Sequence, residues 1–132
     1  MKNNSQLQSQ AEAVIYFIQK LDIEMVDTLL DNSIEYQDMR KDIFINKFGH
    51  AMNEFIEAGD TFLNTSKGFC DSIICNYKCS GFSFVGNNSG KFIDLIIEIE
   101  EGKIVDIYEC TEFKTKTTKR DRSKRIEIDK LF

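Results

Sequence analysis

The 132-residue sequence has no proline and no tryptophan, one histidine and four cysteines. Without proline, internal repeats or a low-complexity stretch, nothing in it marks a linker between domains. The length therefore predicts one domain with a sizeable core. Four cysteines are too few for a disulfide scaffold in a chain of this length, so free thiols are the default interpretation.

Long hydrophobic runs are also missing. The first ten residues, MKNNSQLQSQ, are polar and lack the apolar segment of a secretion signal. No apolar run approaches the length of a membrane span. We therefore expect a cytoplasmic protein without a membrane partner.

The charge is unevenly distributed along the chain. Residues 1–112 hold 9 basic and 19 acidic side chains, whereas residues 113–132 hold 8 basic and 3 acidic ones. The acidic body should repel nucleic acid. The basic run KTKTTKRDRSKR lacks aromatic residues for stacking on bases, so no nucleic-acid partner is expected. We predict a domain over residues 1–114 and a basic extension over 115–132, whose final RIEIDKLF suits an added strand or docking on a neighbour.

Three antiparallel strands are predicted over residues 81–113. Asn87 to Gly90 and Glu101-Gly102 are turn sequences, and their flanks are rich in β-branched and aromatic residues. Two-residue turns would pair Phe84 with Ile93 and Ile97 with Asp106. Alternation then gives one apolar face that should meet helices. We expect that face to carry Phe82, Phe84, Ile93, Leu95, Ile97, Ile99, Ile104, Asp106, Tyr108, Cys110 and Glu112.

Helices are predicted before these strands. Apolar residues recur at helical spacing over residues 6–21, 22–30 and 40–58. A short strand is expected at 34–37 and strand-like segments over 61–65 and 72–85. The resulting fold class is α+β, with N-terminal helices and one long helix packed on a curved antiparallel sheet.

This order resembles the NTF2-like superfamily, a cystatin-like α+β group that includes SnoaL-like and ketosteroid-isomerase-like domains. The resemblance is carried by residues 21–30, by SIEYQD at 33–38 before the long helix, and by EGKIVDIYE at 101–109. It implies a cone-shaped domain with an internal pocket and a homodimer formed through the outer sheet face. The superfamily hosts many unrelated activities, so the resemblance implies no particular function.

The resemblance also implies an acid, or an Asp/His pair, inside the cone of catalytic members. His50, the only histidine, falls on the polar side of the long helix, so we expect no histidine-based catalysis. Asp106 and Tyr108 are the candidate catalytic residues, because a carboxylate buried among isoleucines gains a raised pKa. A merely structural role, with both residues hydrated or hydrogen-bonded, is the alternative. We expect the ligand pocket to be lined by Tyr36, Phe84, Asp106, Tyr108 and Cys110.

The cysteines are weak candidates for a metal site. Cys70, Cys75 and Cys79 follow C-x4-C-x3-C, a spacing that thiolates could use for zinc. The predicted register places Cys110 five residues along from Cys79, roughly 17 Å at strand rise, which argues against a four-cysteine site. A three-cysteine site completed by water or another ligand stays open, as does a Cys75–Cys79 or Cys70–Cys79 disulfide. Inert packing thiols are the default, and we predict no metal and no cofactor.

Three functions are compatible with the sequence. The first is a homodimeric domain that binds a small molecule in its cone. The second is an isomerase or dehydratase with Asp106 as base and Tyr108 as proton donor. The third is a non-catalytic interaction module whose cone is filled by its own side chains and whose basic tail binds a partner.

Overall fold

The computed structural model describes residues 9–67, 81–109 and 121–128. These ranges contain three helices and a four-stranded antiparallel sheet, so the predicted α+β class is confirmed. The helices are α1 (Gln10–Gln19), α2 (Ile23–Leu29) and α3 (Lys41–Glu57). The strands, in sheet order, are β1 (Leu63–Lys67), β2 (Gly81–Gly86), β3 (Phe92–Glu100) and β4 (Lys103–Glu109). Among the described residues, no helix has the length and apolar character needed to cross a membrane.

Side-chain caps set the start of the first two helices. The Ser9 hydroxyl accepts the backbone N–H of Glu12 at 3.1 Å, and the Asp22 carboxylate accepts that of Met25 at 3.2 Å. Such caps satisfy backbone donors that lack a partner inside the helix. The predicted helices over 6–21 and 22–30 are thus present with shorter bounds, and residues 1–8 lie outside the described ranges.

The long helix α3 was predicted correctly. Its apolar stripe is buried against the rest of the core, while His50 is exposed on the opposite side, as expected. Gly59 ends the helix with a φ of +98°, a conformation that glycine adopts without a side-chain clash. The buried stripe consists of Phe44, Phe48, Ala51, Met52 and Phe55.

The strand predicted at residues 34–37 is wrong. Tyr36 and Met39 exchange both backbone hydrogen bonds at 2.9 Å, and Gln37 and Asp38 between them have φ values of +52° and +60°. This is a tight turn whose two central residues are left-handed. Neither is glycine, so contacts elsewhere in the fold must hold them there.

The first hairpin has the predicted register. Phe82 pairs with Leu95 and Phe84 with Ile93. The connecting loop has four residues rather than two, because the Gly86 N–H donates to the Lys91 carbonyl at 2.8 Å and closes it. The register is unchanged because the four-residue loop is centred on the same position as the predicted two-residue turn.

The second hairpin differs from the prediction beyond its turn. Glu101 and Gly102 form the two-residue turn, with φ values of +52° and +78°. The register then shifts at Val105, so that Ile104 still faces Ile99 but Asp106 pairs with Glu98 instead of Ile97. A β-bulge with one extra residue on β4 produces this shift and reverses the faces of all later residues.

Because of the bulge, the apolar face of β4 differs from the predicted one. Ile107 pairs with Ile97, and both are fully buried in the core. Asp106 and Tyr108 therefore lie on the other face, beside Glu98. The bulge is favourable because it places an isoleucine, rather than a carboxylate, under the helices.

The outer face of β2 and β3 is also largely buried within the single chain. Ser83 and Asp94, which pair across the strands, are each 1% exposed, and Phe92 and Ile96 are nearly as buried. The homodimer expected through the outer sheet face stays a prediction. If it forms, its contacts must come from other parts of this face.

The segment 121–128, which we call the C-terminal strap, docks on its own chain. It contains a single 3-10 turn, Arg122–Lys124, followed by a parallel bridge between Arg125 and Phe92. Ile126 and Ile128 are buried and belong to the same core cluster as the sheet and helices. This part of the predicted basic extension therefore packs against the domain.

A polar cleft at the edge of β4 as the candidate functional site

A cleft of about 590 Å³ opens where β4, the turn at residues 36–39 and the C-terminal strap meet; we call it the β4 cleft. Among the described residues that line it, five carry a carboxylate and one carries a guanidinium. Its volume is in the range of small-molecule sites. The lining residues are Gln37, Asp38, Glu98, Asp106, Tyr108, Glu109, Arg125 and Glu127.

The bulge in β4 supplies the floor of the cleft. It turns Asp106 and Tyr108 away from the core and places Asp106 directly opposite Glu98. The Tyr108 hydroxyl donates to Glu98 Oε2 at 2.9 Å. Two carboxylates and a phenol thus share one small polar surface.

The turn at residues 36–39 forms a second wall. The backbone N–H of Gln37 donates to Asp106 Oδ1 at 3.1 Å. The Gln37 side chain makes two bonds to Glu109: its Nε2 donates to Oε1 at 3.0 Å, and its Oε1 accepts the backbone N–H at 2.9 Å. These bonds explain how Gln37 is held in a left-handed conformation.

The C-terminal strap forms the third wall. Arg125 and Glu127 line the cleft, while the alternate residues Ile126 and Ile128 are buried in the core. This alternation is that of an extended segment. Glu109 connects the strap to the turn at residues 36–39, because its Oε2 accepts the Ile128 N–H at 2.7 Å and its Oε1 accepts the Gln37 side-chain amide.

The pKa of the Asp106 carboxyl group is raised in the cleft. Burial raises this pKa, and the nearby negative charges of Glu98 and Asp38 raise it further. The backbone N–H groups of Gln37 and Ile107 oppose this effect but do not cancel it. A carboxylate with a raised pKa is typical of functional sites, although structural networks also produce it.

The five predicted pocket residues do not share one site. Asp106 and Tyr108 line the β4 cleft, but on the face opposite to the one predicted. Tyr36 and Phe84 are fully buried core residues. The Tyr36 hydroxyl accepts the Asp31 N–H at 3.1 Å, and its ring lies 5.5 Å from that of Phe44. Cys110 lies outside the described residues.

Most of the cleft was not anticipated. Gln37, Glu98, Glu109, Arg125 and Glu127 were assigned to no site. One sequence signal was available for the bulge: Ile104 and Ile107 are three residues apart, and regular alternation cannot place both in the core. The contribution of the strap had no comparable signal, because it depends on a contact between residues distant in the chain.

The predicted metal candidates cannot be placed. Cys70, Cys75, Cys79 and Cys110 all lie outside the described ranges. Within residues 9–67, 81–109 and 121–128, no group of three or more His, Cys, Asp or Glu side chains has an arrangement suited to a metal ion.

A second cleft, of about 570 Å³, lies between the start of α3 and the loop after α2. Lys41, one of its residues, is only 9% exposed and donates to the Leu30 carbonyl at 3.0 Å and to Asn32 Oδ1 at 2.6 Å. It also pairs with Asp27 at 3.1 Å. Lys41 therefore binds the backbone carbonyl at the end of α2. The described residues of this cleft have no excess of one charge comparable to that in the β4 cleft.

No model of a protein family, no curated protein and no solved structure matches this chain.

Proposed function

We propose that this protein is a binding domain that takes up a small organic cation, such as an aliphatic polyamine, in the β4 cleft. The observation that carries the proposal is the lining of that cleft, whose described residues include five carboxylates and one guanidinium. A cationic ligand would relieve the mutual repulsion of these carboxylates.

The raised pKa of Asp106 supports this choice of ligand. The carboxyl group responds to Glu98 and Asp38 as negative neighbours, so the cleft has a negative potential at this point. An ammonium group near Asp106 would favour the ionised form of its carboxyl group. Binding should therefore lower the pKa of Asp106.

The domain that carries the cleft would belong to the NTF2-like group. The order of three helices and an antiparallel sheet is compatible with this assignment. The ligand position differs from the cone expected for such domains, because the bulge turns Asp106 and Tyr108 to the other face of the sheet.

Calorimetry with spermidine tests the proposal. We expect binding to the wild-type protein at low salt, weakening as salt rises because the attraction is screened. Glu98→Gln should weaken binding about tenfold, the effect of removing roughly one favourable charge contact. Triethylene glycol, which is of similar length but neutral, should not bind.

The matched control is Glu35→Gln, the same chemical change at an exposed residue of the second cleft. It should leave the affinity for spermidine unchanged. Equal losses in the two variants would mean that only the overall negative charge matters and would contradict a site at the β4 cleft.

An acid–base enzyme is the second candidate, because one observation favours it. Asp106, with its raised pKa, lies beside a phenol that already forms a 2.9 Å bond to the carboxylate of Glu98. Asp106 could act as the base and Tyr108 as the proton donor of an isomerase or dehydratase.

The titration of Asp106 by NMR discriminates this candidate. A pKa above about 6 would suit a general base at neutral pH. A value near the ordinary one of about 4 would exclude Asp106 from that role and leave the binding function.

A further inference from the structure

The C-terminal strap has two functions in the structure that are carried by alternate residues. Ile126 and Ile128 are 1% and 3% exposed and anchor it in the core. Arg125 and Glu127 form one wall of the β4 cleft. The cleft therefore has all its walls only when the strap is docked.

Among the described residues, the strap is joined to the sheet by one isolated bridge, between Arg125 and Phe92, and not by a ladder of paired residues. One of its hydrogen bonds runs from the Ile126 N–H to the Phe92 carbonyl at 2.8 Å. A second runs from the Ile128 N–H to Glu109 Oε2 at 2.7 Å. A third, exposed, joins Lys124 Nζ to the Ser89 carbonyl at 3.2 Å. By contrast, β3 is paired along both of its edges by β2 and β4.

We propose that the strap is a movable wall of the β4 cleft, which docks and releases as one unit while the helices and the sheet stay folded. The strap meets the sheet through an isolated bridge, whereas β3 is paired along its length by β2 and β4, so release should need far less free energy than unfolding of the sheet. The proposal rests on the proposed function only in that a ligand of the cleft would favour the docked state.

The expected coupling follows from mass action. A ligand that contacts Arg125 or Glu127, or that fills the space they enclose, binds the docked state better than the released one. At a concentration of about 100 times its Kd, such a ligand would reduce the released population by about 100-fold.

Amide hydrogen exchange of the full chain tests the movement without any ligand. We expect the amides of Ile126 and Ile128 to be at least about 100-fold less protected than those of Leu95 and Ile97 in β3, since local release does not require unfolding of the sheet. Equal protection of the two pairs, with equal sensitivity to denaturant, would mean that the strap opens only when the whole domain unfolds and would overturn the proposal.

A pair of isoleucine variants sharpens this test. Ile126→Ala should accelerate the exchange of Ile128 and leave Leu95 and Ile97 unchanged. Ile56→Ala removes the same atoms from a side chain that is 48% exposed on α3, and it should leave the strap unaffected. If Ile126→Ala accelerated the amide exchange of Ile128, Leu95 and Ile97 equally, the strap would be an inseparable part of the core.

Repeating the exchange experiment with spermidine separates the two proposals. Slower exchange of Ile126 and Ile128, with β3 unchanged, would support both. If calorimetry detects no spermidine binding but the strap still opens by itself, the proposed cation function fails and the movable wall stands. If spermidine binds and strap exchange does not slow, the strap is not a wall of the binding site, and the inference is wrong.

Discussion

Two desolvated carboxyl groups of this protein, those of Asp60 and Asp106, have pKa values shifted in opposite directions. Asp60 lies after α3 and is only 4% exposed. Burial alone would raise its pKa, but hydrogen bonds from Ser89 and Asn88, together with the charge of Lys91, lower the pKa overall. Asp106 is less buried, yet its pKa is raised.

The difference lies in the donors and charges around each group. Asp60 Oδ1 accepts the N–H groups of Asn88 at 2.8 Å and Ser89 at 2.7 Å, and its Oδ2 accepts the Ser89 hydroxyl at 2.6 Å. Asp106 has backbone donors but faces two other carboxylates. A buried carboxylate with complete hydrogen bonding organises a loop, whereas one with negative neighbours is available for a cation or a proton.

The largest expected effect is that of Asp60→Ala. It leaves two backbone N–H groups of the β2–β3 loop without their acceptor, and we expect a loss of about 4 kcal/mol in the free energy of unfolding, since each such group costs about 1–3 kcal/mol. Asp106→Ala should change it by less than about 1 kcal/mol, as is usual away from the core. Urea unfolding of both variants measures the difference, and similar losses would contradict the distinction between the two carboxylates.

The second prediction tests the bulge that separates Asp106 from the core. Ile107→Ala should lower the free energy of unfolding by about 3 kcal/mol, because it removes a fully buried side chain and leaves a cavity. Val105→Ala, at the bulge itself, should cost less than half as much, because Val105 is only half-buried. If Ile107→Ala lowered the free energy of unfolding no more than a surface substitution, Ile107 would not face the core, and the bulge would not be present.

The third prediction disturbs Asp60 without changing it. A Cβ at Gly86 would overlap the Asp60 carboxylate, which its hydrogen bonds hold in place. Gly86→Ala should therefore cost about 2 kcal/mol, typical of overpacking, as seen in thermal or urea unfolding.

Gly49→Ala is the matched control for this change. The added Cβ would meet only Ile23 Cγ1, at an ordinary 3.5 Å, and Gly49 lies inside α3. It should stabilise the protein by up to about 1 kcal/mol, because alanine favours a helix over glycine. A neutral or stabilising Gly86→Ala would mean that the Asp60 loop can move aside.

The smallest effect is the dependence of stability on pH, for which the two carboxylates should have opposite signs. The pKa of Asp60 is lowered from its ordinary 3.8, so its contribution is complete above that value and is lost as the pH falls through the pKa of the folded state. The pKa of Asp106 is raised from 3.8, so its contribution is complete below 3.8 and is lost as the pH rises through its folded-state pKa.

Unfolding at several pH values between 3 and 7 measures these signs. Relative to the wild type, Asp106→Asn should become more stable as the pH rises, and Asp60→Asn should become less stable. The same sign for both variants would show that their environments do not differ as described.

The positions of the helices and hairpins could be predicted because they depend on local patterns. The apolar stripe of α3, from Phe44 to Phe55, recurs at helical spacing, and Gly59 marks its end. The register of β2 and β3 follows from the loop between them. In each case the residues that determine the element are close in the sequence.

The candidate site could be predicted only in part. Asp106 and Tyr108 were recognised as chemically capable residues, but a single extra residue at Val105 reversed their face. Tyr36 and Gln37 were assigned to a strand, because nothing local signals that Asp106 and Glu109 would hold Gln37 in a left-handed turn.

By itself the sequence determined the α+β class, the three helices, the turn at Glu101-Gly102 and the excess of acidic residues. These features follow from short-range periodicity, turn residues and composition. Only the tertiary structure decided which carboxylates meet in one cleft and that the C-terminal strap closes it. The physical reason is that these contacts join residues as distant as Gln37 and Glu109, or Glu109 and Ile128, whose hydrogen bonds form only after the chain has folded.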